Sequence, residues 1–196
     1  MPLGAHKAAI MGVSGVSTGD VVLLYDEDHS NASAVSITSG LTSTYGEYIF
    51  GFYNINPATD TVDFDMMGSA DGGSNYNVNH TTTFFSAYHY ESDSSAALAY
   101  QTDQDASNES SAYQSIFAAI GNGADEHASG KLHLFNPAST TYAKHFYSEG
   151  VSYHSNDNCA NEFMAGYFNT TSAVNAIQFK MSSGNFDGTI KLWGVK

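Results

Sequence analysis

Histidines and clustered acids are the residues in this chain whose types suit chemistry, and their spacing decides how far that chemistry goes. There are eight histidines. His80, His89, His133, His145 and His154 sit in or beside stretches that read as β-strands, but no His-x-His pair and no His-Glu-x-x-His sequence brings two of them together. A zinc ion needs three or four ligands converging on one point. These histidines therefore read as surface or hydrogen-bonded core residues. Asp26-Glu-Asp28-His-Ser-Asn31 and Asp103-Gln-Asp105-Ala-Ser-Asn108-Glu109 gather the hard oxygen ligands that calcium accepts, yet neither carries the Gly and the final Glu of an EF-hand loop. They read as solvated loops, with calcium as the alternative. A nucleophile elbow, Gly-x-Ser-x-Gly, does not occur, and the glycine-rich stretches lack the Gly-Lys-Ser/Thr of a phosphate loop. Asp63 and Asp65 alternate along one strand and read as outward and solubilising. The expectation is a chain that is not an enzyme and that needs no metal or other cofactor.

Tyrosine offers a different chemistry. Of thirteen tyrosines, Tyr45, Tyr53, Tyr76, Tyr113, Tyr142 and Tyr153 lie beside turn-forming residues. A Tyr ring pairs an apolar face with a hydrogen-bonding tip, so such residues can stack on a sugar or line a protein contact. Packing explains most of them, and a surface glycan stays a possible partner.

Strands must position these groups. Ile177, Phe179 and Met181 alternate with Gln178 and Lys180, the period of two that marks a half-buried strand. Val62, Phe64 and Met66 repeat the pattern, as do Tyr48, Phe50 and Phe52. Two hairpins are expected, one joining 45–55 to 61–66 across Asn56-Pro57-Ala-Thr-Asp60, and one joining 176–181 to 189–195 across Ser-Ser-Gly-Asn-Phe-Asp-Gly. Val21 to Tyr25 is continuously apolar and reads as a strand buried on both faces, ending at the acidic loop. Further strands are expected at 34–37, 82–91, 131–135, 141–147 and 162–168, with an apolar island at 96–100. Tyr113, Ile116, Phe117 and Ile120 have helical spacing, leaving a short helix and a bulged strand both open. Many short strands with frequent turns predict an all-β fold, a single β-sandwich of jelly-roll type with little or no helix.

Two parts are expected, an extended N-terminal arm over 1–19 and one sandwich domain over 20–196. Leu3, Ile10, Met11 and Val13 are irregularly spaced and would let the arm lie on a neighbouring subunit. The formal charge is −14, from 20 acidic residues and 6 basic ones, all lysine. Without Arg the chain lacks the planar fork that grips phosphate, and its charge repels a polyanion, so no nucleic-acid partner is expected. No stretch approaches the roughly 20 apolar residues of a membrane span, and the opening residues are too weakly apolar for a signal peptide. Cys159 is the only cysteine, which excludes an intramolecular disulfide.

Several segments carry a family likeness. Asp28-His-Ser-Asn-Ala-Ser, Tyr45-Gly-Glu-Tyr with Asn54-Ile-Asn-Pro-Ala-Thr-Asp60, Ile120-Gly-Asn-Gly-Ala-Asp-Glu126, Leu132-His-Leu-Phe-Asn-Pro137, Lys144-His-Phe-Tyr147 and Ala165-Gly-Tyr-Phe-Asn-Thr-Thr-Ser-Ala173 resemble segments of virion proteins of marine tailed phages. So does the ending, Phe179-Lys-Met-Ser-Ser-Gly-Asn-Phe-Asp-Gly-Thr-Ile-Lys-Leu-Trp-Gly-Val195. The resemblance runs from about residue 20 to the C-terminus and supplies no catalytic residues. It implies a non-enzymatic virion structural protein on the outer surface of a capsid or tail. Most directly that is a capsid decoration, or cement, protein: a homo-oligomer, with a trimer favoured, that reinforces the shell by contacts to the major capsid protein or other virion proteins. The alternative is a tail or head fibre domain that binds a host surface glycan.

Overall fold

The computed structural model describes residues 20–196, and every regular element among them is a β-strand. They are β1 (Val21–Ala32), β2 (Val35–Ile37), β3 (Glu47–Pro57), β4 (Val62–Ser69), β5 (His80–Tyr90), β6 (Ala96–Tyr100), β7 (Gln114–Ile120), β8 (Ala128–Phe135), β9 (Lys144–His154), β10 (Asn158–Phe168), β11 (Ala176–Met181) and β12 (Phe186–Val195). The arm residues Leu3, Ile10, Met11 and Val13 lie outside the described residues.

Hydrogen bonding arranges the strands in two antiparallel layers. The large one runs β1-β12-β3-β8-β9-β10-β5-β6 and the small one β7-β4-β11-β2. A single bridge from Ile120 to His154 joins them between β7 and β9, so the sandwich closes along that side. With β5, β6, β9 and β10 set aside, the remaining eight strands read first-eighth-third-sixth and second-seventh-fourth-fifth. This is the order of two interlocked Greek keys, to which β9, β10, β5 and β6 add an extension of the large sheet.

The core follows from the alternation. Tyr48, Phe50, Phe52 and Ile55 point inward from β3 and meet Phe64 of β4, Phe117 of β7 and Phe179 of β11. Phe50 and Phe52 lie edge-on to Phe179, with centroids 5.3 and 5.1 Å apart, and Phe52 lies edge-on to Phe64 at 5.3 Å, geometries that favour the ring quadrupoles. Close approach needs glycine at Gly150 of β9, opposite Gly130 of β8: a Cβ there would overlap the Phe117 ring and stand 2.8 Å from the Ser129 carbonyl oxygen.

Both expected hairpins are corrected. β3 pairs with β12 and β8, whereas β4 pairs with β11 and β7. Likewise β11 pairs with β4 and β2, whereas β12 pairs with β1 and β3. Each connection arches from one layer to the other, and the inward alternation is the same as a hairpin would require because both strands face one core. β1 is also corrected: it is an edge strand that runs on through the acidic stretch to Ala32, with Val21 and Leu23 exposed. The segment with helical spacing is strand β7, bulged where it pairs with β4 and with Ala119 at φ +47°.

Candidate functional site: a polar cavity and an apolar sheet face

The extension of the large sheet creates the first site. Among the inward residues of this extension, apolar Phe84, Ala160 and Met164 are interspersed with polar ones: Ser152 on β9, Asn158 and Glu162 on β10, Thr82 and Ser86 on β5, all buried. The segment after β6 folds across them, tied down by Gln101 N–H to the Phe84 carbonyl (2.9 Å), by Gln101 Nε2 to Ser86 Oγ (2.8 Å) and by Ala106 N–H to Thr82 Oγ1 (2.9 Å). A cavity of about 300 Å³ remains, lined on its polar side by Ser86, Gln101, Asp103, Gln104, His154, Asn156, Asn158 and Glu162, with Tyr88 and Tyr90 and the apolar Phe84, Ala118, Ala119 and Ala160 completing the wall.

Glu162 is 2% exposed. Its Oε1 accepts from the Ala118 N–H (2.9 Å) and its Oε2 from the Ser152 hydroxyl (3.0 Å). Burial outweighs these bonds and pushes its carboxyl up to about 8, with nearby Asp63 adding to the rise. Asp63 Oδ1 accepts from the next amide, Ala119 N–H (2.8 Å), because the bulge turns consecutive N–H groups toward two different carboxylates. Burial raises Asp63 as well. His154 Nδ1 accepts from the Asn156 N–H (3.2 Å), which leaves its proton on Nε2, and burial holds the ring below its ordinary pKa and hence neutral. The β9–β10 turn that sets His154 and Asn158 side by side spans Ser155, Asn156 and Asp157, the last at φ +53°. A three-residue hairpin loop needs that left-handed residue, and Asp tolerates it. Asn158 Oδ1 is buried and accepts no hydrogen bond from the described residues.

The expected outward, solubilising pair Asp63 and Asp65 is thereby corrected. Asp65 is 7% exposed under the segment carrying Tyr113, and burial followed by repulsion from Asp63 pushes its carboxyl up to about 8, against a weaker pull from Lys180. The face they occupy is outward on the small sheet, but residues 103–115 cover it.

The second site is the outer face of the large sheet. One row of cross-strand neighbours reads Leu23, Trp193, Ile49, His133, Tyr147 and Ala165, from β1 to β10. The next reads Asp26, Lys191, Gly51, Lys131, Glu149, Phe163, Phe85 and Tyr100. His133 stacks on Tyr147 (4.5 Å) and Phe85 on Phe163 (5.0 Å). Phe85, Leu98, Tyr100, Tyr147 and Val151 are exposed. Lysines offset part of the acidic charge here: Lys191 pairs with Asp26 at 3.0 Å and Lys131 stands opposite Glu149, while Asp28 accepts from the Thr189 hydroxyl and Glu47 is 2.6 Å from His133.

Among the described residues the histidines do not converge. Besides His133 and His154, His80 is a buried core residue, His89 meets Asp93 at the surface, and His145 tilts against Tyr167. Among the described residues no three His, Cys, Asp or Glu side chains are placed to hold a metal ion. The Asp26–Asn31 stretch lies in β1 rather than a loop. In the second acidic cluster Glu109 Oε1 accepts from the Ser111 hydroxyl and the amides of Ser110, Ser111 and Ala112, which hold that carboxyl down at about 2. Comparison with protein families and with curated proteins finds no match.

Sequence reasoning passed over Glu162 and Asn158. One signal was present: Ala160, Glu162 and Met164 share one register of β10, so a carboxylate occupies an inward position.

Proposed function

We propose that this chain is a non-enzymatic virion structural protein, a capsid decoration protein that assembles with copies of itself through the outer face of its large sheet. The observation that carries the reading is the exposed, aromatic-rich face on which Lys131 and Lys191 offset two of the carboxylates, on a chain of charge −14. An acidic chain repels its own copies least where lysines offset its carboxylates, and exposed contiguous apolar surface marks an interaction site. A third row runs from Asp28 and Thr189 through Tyr53, Val151, Asn161 and Ala87 to Leu98. Eight strands at about 4.8 Å and three rows about 7 Å apart span roughly 34 by 14 Å between side-chain positions, on the order of 500 Å², against about 800 Å² buried on each partner of a standard interface. Asp20, where the arm would join, lies beside the exposed Val21 and Leu23 at the edge of this face. The likeness to phage virion proteins then makes the oligomer a trimer that reinforces a shell and contacts the major capsid protein.

Native mass spectrometry of the full chain tests the assembly. A trimer is expected, reduced to monomer by Tyr147→Asp with the β-sheet circular-dichroism spectrum and a cooperative unfolding transition retained, since Tyr147 is already exposed. A monomeric parent chain, or a variant that stays trimeric, would overturn the interface. Cryo-electron microscopy of the parent particle tests the location, and density confined to the tail would sink the decoration role.

A further inference from the structure

We propose that the cavity beneath β5 and β10 is a binding site for one neutral, hexose-sized sugar unit, with Asn158 and Glu162 engaging its hydroxyls. This goes beyond the structural role and does not depend on it.

Three observations converge. Asn158 is 4% exposed, lines the cavity, and its Oδ1 lacks a donor. A buried acceptor left unmatched costs about 1–3 kcal/mol, which a ligand hydroxyl pointing into the cavity would relieve. The lining also mixes donors with acceptors: His154 offers an Nε2–H, Gln104, whose side chain bonds Asp63, keeps an amide oxygen to accept, and protonated Glu162 presents an O–H beside a carbonyl oxygen. A sugar hydroxyl both donates and accepts, whereas an ammonium only donates and a carboxylate only accepts. Finally, Tyr88 and Tyr90 stand edge to face at the wall with centroids 5.8 Å apart, presenting ring surface to the C–H face of a pyranose.

Size and charge narrow the class. A volume of about 300 Å³ sits at the small end of ligand pockets, roughly 300–1,000 Å³, and suits a single sugar unit rather than an oligosaccharide. Among the described residues no Lys lines the cavity while Asp103 does, so uronic and sialic acids are disfavoured.

The test is saturation-transfer NMR and titration calorimetry on the full chain with glucose, galactose, mannose and N-acetylglucosamine, set against glucuronate and N-acetylneuraminate. Saturable binding of at least one neutral sugar is expected, with Kd in the millimolar range or tighter. Asn158→Leu and Tyr90→Ala should each weaken it by about tenfold or more. Tyr90 is half-buried at the rim, so its variant keeps the test decisive if Asn158→Leu fails to fold. No saturable signal for any neutral sugar up to about 50 mM would overturn the site. So would unchanged binding by a folded Tyr90→Ala, or tighter binding of the anionic sugars. Because the readout uses the isolated chain, it is independent of where the protein sits on a particle.

Discussion

Glu162→Gln should make the protein more stable at neutral and alkaline pH, by an amount that grows with pH in a defined window. The folded carboxyl titrates near 8, against an ordinary value of 4.5, and the cause is burial. Below pH 4.5 the group is protonated whether the chain is folded or unfolded, and it contributes no pH dependence. Between 4.5 and 8 the native state retains a proton that the unfolded chain has released, so stability falls as pH rises, by about 1.4 kcal/mol per pH unit. Above 8 both states are ionised and the loss levels off, having reached on the order of 5 kcal/mol. Gln keeps an oxygen to accept from the Ala118 N–H, and its amide N–H can donate to Ser152 Oγ, so the packing is retained without the titration. Urea denaturation of both proteins from pH 4.5 to 8.5 gives the difference directly. Asp103 and His154, which line the same cavity, and nearby Asp63 are common to both chains and largely cancel. Equal stability near pH 4.5 and a widening gap in favour of Gln up to pH 8 are expected. A difference that stays flat, or a variant that loses stability as pH rises, would refute the claim that Glu162 is held protonated by burial.

Two further substitutions probe the frame around the sites. Lys144 is fully buried, and its Nζ donates to the Tyr142 carbonyl at 2.7 Å and the Thr170 carbonyl at 2.9 Å. Lys144→Met keeps the apolar stem but strips both acceptors of their donor, so a loss of about 2–4 kcal/mol is expected by chemical denaturation; a loss below about 0.5 kcal/mol would show that solvent replaces the ammonium. Gly150→Ala forces a methyl against Phe117, and overpacking of this kind should lower stability by about 1–3 kcal/mol, with a broadened Phe117 environment in NMR spectra. An unchanged melting temperature would mean that β8 and β9 yield more freely than their paired glycines imply.

The strand content was legible in the sequence because side-chain alternation is a local property. Val62, Phe64 and Met66, or Ile177, Phe179 and Met181, alternate with polar residues regardless of which strand lies beside them, and each set is buried as its period requires. Strand partners were not legible. A short turn after β3 or β11 serves equally as a hairpin or as an arch between layers, and the choice was made by distant segments: β12 and β8 took the edges of β3, while β4 and β2 took those of β11. The apolar run of β1 was misjudged for the same reason, since hydrophobicity specifies what gains from burial and not what comes to cover it.

The cavity lay further still from the sequence. Asn158 and Glu162 on β10, Tyr88 on β5, His154 on β9 and Gln101 in the connecting segment belong to no motif, and only the overhang of the large sheet beyond the small one gathers them. By itself, then, the sequence determined that the chain is built of strands with one face buried, and that its charge is strongly negative. Tertiary structure decided which strands bond to each other, which lysines come to face carboxylates, and which polar groups are shut away from water. Those outcomes depend on backbone hydrogen bonds and burial between residues far apart in the chain, which no local pattern encodes.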